Sequence, residues 1–366
     1  MTLDEAWWAR VVGGRGGSLH SSRADEQYVL LPRASEPRVI VDAACSKAMR
    51  DAVDRYMSKQ GVAASGLAFG ASALLSLRKG GWKVSSEDLT LREYLSDVLS
   101  TEVKLSVAVG PKRPNRKPIV RCYAGSELVG VAKMGPDPHT AALVENEYEW
   151  LEKFTDHCFG DIATPTVIHK GDFEGSPLLL LAPFNIGGAP MMELADIPVG
   201  LTKELNERFD TQNSVADGPW WGQMKARLQD AEVRRYAEIA NDFDSDEQLM
   251  SLQTSAWHGD WSPWNMGKLR NGQLMIWDWE RATAGVPSGF DLLHLHYQYG
   301  DGLEAARPGL DELGLTRENQ RPLMVAYLLE LTARHYEAGV LGGERQQLVD
   351  AEFVKLGLGS SSEVGT

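Results

Sequence analysis

The chain is poor in cysteine and has no long apolar run. Its three cysteines, Cys45, Cys122 and Cys158, are scattered and odd in number, so they suggest neither a disulfide framework nor a zinc site. The longest apolar run of interest, Leu178 to Phe184, has seven residues. A membrane-spanning helix needs about 20, so we expect no membrane segment.

The chain also lacks a basic surplus, and its first residues do not have the pattern expected of a secretory leader. Its 37 basic and 51 acidic residues give a net charge of −14, whereas a nucleic-acid-binding protein needs a basic face. Residues 1–5 include two acids where a signal peptide carries bases, and no apolar core of roughly 7–15 residues follows. We therefore expect a soluble, cytoplasmic protein that binds neither nucleic acid nor membrane.

The acidity is unevenly divided. Residues 1–187 contain 22 basic and 23 acidic residues, whereas residues 188–366 contain 15 and 28. One interpretation is a pocket that attracts a cationic acceptor by long-range steering. The other is a solvated acidic surface, which the loop-like run over residues 241–247 favours.

The patterning of apolar and turn residues predicts an N-terminal accessory subdomain over residues 1–100 and a β-rich lobe over 101–187. Within the first we expect a loose start over 1–25, a hairpin of strands 28–32 and 38–42, and helices over 46–57, 67–77 and 90–98. Within the second we expect strands over 105–109, 118–123, 128–133, 164–169 and 177–181, and a helix over 140–154.

The second half of the chain is predicted to be mainly helical. A helical lobe is expected over 188–356, with helices over 191–209, 221–242 and 323–338. The Gly/Ser-rich tail, residues 357–366, is expected to be disordered.

Two short motifs in this helical part carry the chemistry. His258-Gly259-Asp260 is followed by Asn265, and Ile276-Trp277-Asp278 comes after a hairpin signal at Asn271-Gly272. Asp260, Asn265 and Asp278 together supply two carboxylates and a carboxamide. Such a set can hold a divalent metal and accept a proton from an alcohol, the two tasks of a phosphoryl-transfer site.

The motif pair resembles the catalytic signature of the aminoglycoside phosphotransferase and choline kinase-like superfamily, over roughly residues 104–340. The resemblance implies an α+β, two-lobed protein-kinase-like fold with a small antiparallel β lobe and a larger helical lobe. It also implies a kinase that transfers the γ-phosphoryl group of ATP, with Mg²⁺, to a hydroxyl of an amino sugar, sugar or amino alcohol. Nothing in the sequence decides between ATP and GTP, or indicates an oligomeric state.

The resemblance assigns roles to the motif residues. Asp260 is the candidate catalytic base, which orients the acceptor hydroxyl. Asn265 and Asp278 are the candidate Mg²⁺ ligands, since hard oxygen donors suit this ion. His258 supports the backbone of the loop, and Asp291 braces it.

Nucleotide-binding residues are expected in the β-rich lobe. Lys133, at the end of a strand, matches the lysine that neutralises nucleotide phosphate, and Glu147 on the following helix is its expected ion-pair partner. Pro183 and Asn185 lie in the segment that resembles the hinge strand, where backbone groups pair with the nucleotide base. An ordinary surface Lys and Glu would give the same sequence pattern and contribute little.

Several residues remain open to two interpretations. Glu280 and Trp261 can contact the acceptor or support the residues that do. The five tryptophans between 257 and 279 can form an aromatic wall for a sugar or cationic amine, or can be core packing. His294 and His296, two residues apart on an expected helix, point apart and make a poor metal pair.

One departure from the superfamily pattern lies in the phosphate loop. Residues 110–118 contain three prolines and four basic residues but one glycine, so backbone N–H donors for phosphate are few. Basic side chains can replace those donors, and a solvated basic turn is the plainer interpretation. The loop also gives the only support for an alternative function, a non-catalytic nucleotide-binding scaffold. A protein kinase is disfavoured, because no Asp-Phe-Gly or Ala-Pro-Glu follows the motif.

Overall fold

The structure is a computed structural model that describes residues 3–14, 17–22, 28–31, 38–58, 81–85, 89–109, 116–155, 159–185 and 193–358. The chain divides into two compact units. The first comprises Met1–Leu151 and Pro165–Phe184, and the second comprises Glu152–Thr164 and Asn185–Thr366.

The strands and helices of the described residues are numbered along the chain. The strands are β1 Ser18–Ser22, β2 Tyr28–Leu31, β3 Val39–Asp42, β4 Gly81–Ser85, β5 Lys104–Val109, β6 Pro118–Ala124, β7 Glu127–Met134, β8 Ile162–Ala163, β9 Val167–Phe173, β10 Ser176–Leu181, β11 Thr254–Trp257, β12 Met266–Lys268, β13 Leu274–Ile276 and β14 Thr283–Pro287. The helices are α1 Leu3–Gly13, α2 Ser46–Ser58, α3 Leu91–Val98, α4 Pro138–Thr155, α5 Val199–Arg208, α6 Trp220–Ala226, α7 Arg234–Asp242, α8 Glu247–Met250, α9 Phe290–Tyr299, α10 Arg307–Glu312, α11 Arg317–Glu337 and α12 Gly343–Lys355.

The first unit is built on one antiparallel sheet. In the part of the chain that the structure describes, its nine strands lie in the order β1-β4-β2-β3-β5-β6-β7-β10-β9. The pairing of β3 with β5 joins strands from residues 1–100 to those of the β-rich segment, for example Ile40 opposite Val107. The accessory segment therefore extends the sheet that carries Lys133.

Strand β3 shows why helices cover both faces of this part of the sheet. All four of its residues are buried, and alternate side chains point to opposite faces. Ile40 belongs to the buried cluster that contains Leu91 and Leu95 of α3. Val39 and Val41 belong to another cluster, with Ala48, Met49 and Ala52 of α2.

Most predicted elements of the first unit are confirmed. The hairpin of β2 and β3 pairs Tyr28 with Asp42, and the three strands β5, β6 and β7 and the helix α4 follow as expected. The predicted loose start is wrong, because residues 3–13 form α1, whose Trp8, Val11 and Val12 are buried at helical spacing. The helix predicted over 67–77 and the loop residues 110–115 lie outside the described residues.

The second unit is mainly helical and is centred on α11. Residues 323–333 of this helix are all buried, which is typical of a helix packed on every side. Its strands form two small sheets in the described chain: β11 pairs with β14, and β8 pairs with β13, which pairs with β12. The hairpin predicted at Asn271-Gly272 is confirmed, since it joins β12 to β13 and Gly272 has a φ of 93°.

Two predicted helices of this unit are shorter than expected. The helix predicted over 191–209 begins only at Val199, because Pro198 precedes it and proline has no N–H to continue a helix. The helix predicted over 221–242 is interrupted between α6 and α7. There the Val233 N–H bonds to the Asp230 carbonyl, and the Tyr336 hydroxyl donates to the Asp230 carboxylate. This long-range contact is not visible in local periodicity.

Residues 359–366, most of the tail predicted to be disordered, lie outside the described residues. Among the helices that the structure describes, none combines the length and apolar character that a bilayer crossing requires.

Candidate active site

Strand β11 leads directly into the loop that carries Asp260. All four residues of β11 are buried, and Gly259 follows with a φ of 78°. A Cβ atom at Gly259 would lie 2.4 Å from the Arg281 carbonyl oxygen, closer than side-chain atoms can approach. Both the backbone angle and the close approach therefore require glycine at this position.

Asp291, in the first turn of α9, holds the loop by its backbone. Its Oδ2 accepts from the His258 N–H at 2.8 Å, and its Oδ1 accepts from the Gly259 N–H at 3.3 Å. Burial raises the pKa of Asp291 to about 7, although these two N–H donors oppose the rise. Asp291 thus has the position and the backbone contacts that the predicted structural role, bracing of the loop, requires.

His258 is fully buried and links the loop to the segment before Asp278. Its Nδ1 accepts from the Asp260 N–H at 3.1 Å, so its Nε2 carries the proton and donates to the Trp277 carbonyl at 3.1 Å. Burial lowers the pKa of His258 to about 4, against the opposite effect of Asp260 and Asp278. A neutral imidazole with both ring nitrogens hydrogen-bonded suits a structural role better than proton transfer.

The Asp260 carboxylate is surrounded by hydrogen-bond donors. Ser262 Oγ donates to Oδ1 at 2.8 Å, and Asn265 Nδ2 donates to Oδ2 at 3.0 Å. Burial alone would raise the pKa of Asp260, but His294, His258 and Ser262 outweigh it and lower the pKa to about 2. The side chain is 29% exposed, so an ionised carboxylate is accessible to a hydroxyl.

Asn265 and the segment before Asp278 are joined by backbone contacts. Asn265 ends a 3₁₀ turn, its carbonyl accepts from the Trp277 N–H at 3.1 Å, and Met266 pairs with Ile276 in the hairpin that follows. The side-chain nitrogen of Asn265 donates to Asp260, which leaves its side-chain oxygen as the atom able to bind a cation.

Asp278 has an uncommon backbone conformation for a residue other than glycine, with a φ of 73°. One carboxylate oxygen of Asp278 lies within 4.8 Å of one of Glu280, which is itself buried. Carboxylate and carboxamide oxygens are the donors that Mg²⁺ prefers, so the chemistry of Asp278, Glu280 and Asn265 fits this ion. When bound, this ion would neutralise phosphate charge and orient phosphate oxygens.

The tryptophans near the loop separate into packing residues and one exposed residue. Trp257, Trp261 and Trp279 are buried, and Trp261 lies edge-on to His258 with ring centroids 5.9 Å apart. Trp261 therefore packs inside the second unit against His258, and its ring is not exposed. Trp264, in contrast, is 47% exposed.

His294 is a site residue that the sequence did not assign. It is buried on α9, its Nδ1 lies 2.9 Å from the Tyr327 hydroxyl, and its Nε2 lies 3.6 Å from Asp260 Oδ1. The sequence feature that could have predicted this role is the position of His294 three residues after Asp291, which places both side chains on the same face of a helix. His296, by contrast, lies on another face and does not share this contact.

The first unit contains the expected ion pair. Lys133, on β7, places its Nζ 2.6 Å from each carboxylate oxygen of Glu147 on α4, and both residues are buried. Glu145 instead pairs with Lys170 at the surface, at 2.8 Å. Glu147 is thus the partner that the helix pattern indicated.

The predicted hinge residues follow β10. Pro183 and Asn185 are exposed, and the chain passes from the first unit to the second between Phe184 and Asn185. In the described part of the proline-rich loop, the Arg116 guanidinium lies over the Trp7 ring at 5.2 Å. This basic residue is therefore engaged by an aromatic ring of α1.

No protein-family model matches the chain, and a search of curated protein sequences gives no match. Solved structures do match. A thermostable mutant of aminoglycoside phosphotransferase APH(4)-Ia, solved with ADP and hygromycin B, is 14% identical, with a TM-score of 0.50 over 74% of this chain and 99% of its own. Choline kinase LicA from Streptococcus pneumoniae is also 14% identical, with a TM-score of 0.51 over 73% of this chain and 95% of its own.

Because these identities are low, the likeness shows the fold alone. The chain has the α+β, two-lobed protein-kinase-like fold that these aminoglycoside and choline kinases share. The fold that the motif resemblance implied is thereby confirmed.

Proposed function

We propose that the protein is a small-molecule kinase that transfers the γ-phosphoryl group of ATP, with Mg²⁺, to a hydroxyl of an amino sugar, sugar or amino alcohol. The observation that carries the proposal is the state of Asp260. It is an ionised carboxylate with a pKa of about 2, held by Ser262 and Asn265 on a loop that Asp291 braces.

Asp260 acts mainly by orientation. A carboxylate with so low a pKa is a weak base, so it accepts a hydrogen bond from the acceptor hydroxyl before the proton moves. In the loose transition state of phosphoryl transfer, the bond from the γ-phosphorus to the leaving oxygen is largely broken before the new bond forms. The proton becomes acidic late, as the acceptor oxygen binds phosphorus, and can then pass to Asp260 and to solvent while ADP leaves.

Asn265 and Asp278 are the proposed Mg²⁺ ligands, and the carboxylate of Glu280 lies close to that of Asp278. Lys133 is proposed to neutralise nucleotide phosphate charge, with Glu147 holding its ammonium group in place. Pro183 and Asn185 are proposed to flank the nucleotide base. The buried ion pair supports the assignment of Lys133 and Glu147, and the contacts of the loop and hairpin support that of Asn265. The assignment of Pro183 and Asn185 is supported by their exposed position after β10.

The acceptor class is supported only by the kinds of protein that share this fold. The matched structures are an aminoglycoside phosphotransferase bound to hygromycin B and a choline kinase. Both names point to polar acceptors that carry hydroxyl and amino groups. The acidic second half of this chain is compatible with such cations.

The test is an acceptor screen that follows ADP release with Mg²⁺ and ATP or GTP over amino sugars, sugars, aminoglycosides and amino alcohols. Transfer by the wild-type protein, lost in Asp260→Ala while nucleotide binding persists, would support the proposal. Near-normal turnover by Asp260→Ala would refute the assigned base. Nucleotide binding without transfer to any member of the panel would favour the non-catalytic scaffold.

A further inference from the structure

Arg334, on α11, contacts two segments around the candidate active site, residues 257–259 and residues 281–283. Its guanidinium donates to the Gly259 carbonyl at 3.4 Å, to the Arg281 carbonyl at 3.4 Å and to the Thr283 hydroxyl at 3.5 Å. The same group lies 4.0 Å above the ring of Trp257. Arg334 is far from these residues in sequence, and no motif singled it out.

The guanidinium is anchored from behind by a buried carboxylate. Arg334 Nε donates to Glu330 at 2.8 Å, and Glu330 also accepts from Arg227 and from the indole N–H of Trp220. The Glu330 side chain is only 3% exposed. Because each donor in the guanidinium plane has a fixed direction, this anchor orients the two N–H groups that face the loop.

The loop and the turn after Asp278 meet beneath this group. A Cβ atom at Gly259 would lie 2.4 Å from the Arg281 carbonyl oxygen and 2.6 Å from the Arg334 guanidinium. Gly259 directly precedes Asp260, and Arg281 lies three residues after Asp278. Both carbonyl oxygens carry partial negative charge and accept from the same guanidinium, so this cation favours their position beside one side chain of α11.

We propose that Arg334 is a positioning residue that fixes the loop carrying Asp260 against the turn carrying Asp278 and Glu280. The proposal rests on the proposed function for its catalytic consequence. The hydrogen bonds from Arg334 to the two carbonyls and to the Thr283 hydroxyl are 3.4–3.5 Å long, so each is weak alone. The positioning effect comes from one planar cation that binds both carbonyls at once. A lysine keeps the charge but cannot serve both carbonyls and Glu330 in this geometry.

Arg227 offers a matched control. It also donates to Glu330, at 2.8 and 2.9 Å, and it pairs with Glu337 through a second edge of its guanidinium. No contact of Arg227 with the Asp260 loop or the Asp278 turn occurs in the described residues. Removing Arg227 therefore perturbs the same buried network around Glu330 but leaves the contacts of Arg334 with the Gly259 and Arg281 carbonyls in place.

The test compares Arg334→Ala, Arg334→Lys and Arg227→Ala in the full chain. We expect Arg334→Ala to lower kcat about 100-fold, the scale of a misplacement of about 1 Å, with KM for the nucleotide within about threefold. Millimolar guanidinium should restore at least about a tenth of the lost rate by occupying the vacated site. We expect Arg334→Lys to be intermediate and kcat of Arg227→Ala to stay within about threefold.

A second measurement separates this proposal from the proposed function. Amide hydrogen exchange should accelerate in residues 257–262 and 278–283 of Arg334→Ala and not in those of Arg227→Ala. If the wild-type protein transfers phosphate to no acceptor, the proposed function fails, and the exchange comparison still decides the role of Arg334. Equal effects of the two alanine substitutions on exchange and on kcat would overturn the positioning role. If Arg334→Ala does not fold, the same comparison is made with Arg334→Lys.

Discussion

Asn265 donates its side-chain amide to the carboxylate of Asp260 and, at the same distance of 3.0 Å, to the carbonyl of Asp260. The residue proposed to bind Mg²⁺ therefore also fixes the residue proposed to orient the acceptor. Because one amide serves both tasks, the base and the metal ligand cannot move independently. The five-residue spacing in the sequence has a direct geometric reason.

The first prediction concerns the charge of Asp260. Asp260→Asn keeps the size of the side chain but removes the negative charge that accepts the acceptor's hydrogen bond, so kcat should fall about 10²–10⁴-fold. Ser262→Ala removes one of the bonds to the carboxylate and should lower kcat by no more than about tenfold. Steady-state kinetics and nucleotide calorimetry measure both. Equal losses in the two variants would contradict the assigned role.

The second prediction concerns the buried ion pair of the first unit. Glu147→Gln leaves the Lys133 ammonium buried without its carboxylate, which should cost on the order of 3 kcal/mol of unfolding free energy. It should also raise the nucleotide KM. Glu145→Gln, which breaks the exposed pair with Lys170, should cost less than about 1 kcal/mol. Urea denaturation compares the two variants. A similar loss of unfolding free energy in both would show that the buried Lys133 pair stabilises the protein no more than the exposed pair does.

The third prediction concerns glycine in the loop that carries Asp260. Gly259→Ala must adopt a positive φ, at about 1–2 kcal/mol, and must also displace the Arg281 carbonyl, at about 1–3 kcal/mol more. Gly272→Ala has the same backbone strain, but no atom lies within 4 Å of its new Cβ. We expect Gly272→Ala to be active and mildly destabilised, whereas Gly259→Ala loses both stability and transfer activity.

The fourth prediction concerns His335, near the end of α11. Burial first, and then the charges of Arg345, His294, Arg281 and Arg334, together lower its pKa to about 4. The folded pKa lies below the ordinary value of 6.5, so the stabilising contribution is fully present above pH 6.5. It is lost as the pH falls from 6.5 toward 4, at a cost of about 3 kcal/mol.

His335→Gln cannot take up that proton. Its unfolding free energy should therefore fall less steeply than that of the wild type between pH 6.5 and 4, and should follow the wild-type curve above pH 7. Urea denaturation at a series of pH values measures the difference. Parallel curves over the whole range would show that His335 does not titrate as its surroundings imply.

The core of the candidate site was predictable from local spacing. The five-residue spacing from Asp260 to Asn265 and the hairpin at Asn271-Gly272 act over a few residues, where backbone geometry allows few alternatives. Lys133 and Glu147 were predictable for a similar reason, since a strand and the next helix are adjacent in the chain. Helix α1 was missed because its glycine-rich continuation after Gly13 obscured the spacing of its buried side chains.

His294 and Arg334 were not predictable in the same way. Each reaches the Asp260 loop from a helix more than 30 residues away in sequence, and histidine or arginine on a helix carries no local mark of its partner. The choice between an aromatic wall and core packing was open for the same reason. It depended on which tryptophans other segments cover, and the structure buries Trp261 and exposes Trp264.

The amino-acid sequence by itself indicated the kinase-like class of the fold through the resemblance of its motifs, and it determined the order of the motif residues and the pairing of nearby elements. That pairing follows from interactions within short stretches of chain. Only the tertiary structure decided that the accessory strands join the Lys133 sheet, that His294 approaches Asp260 and that Arg334 lies over Gly259. Such contacts join residues distant in sequence, and their formation depends on how whole helices and sheets pack.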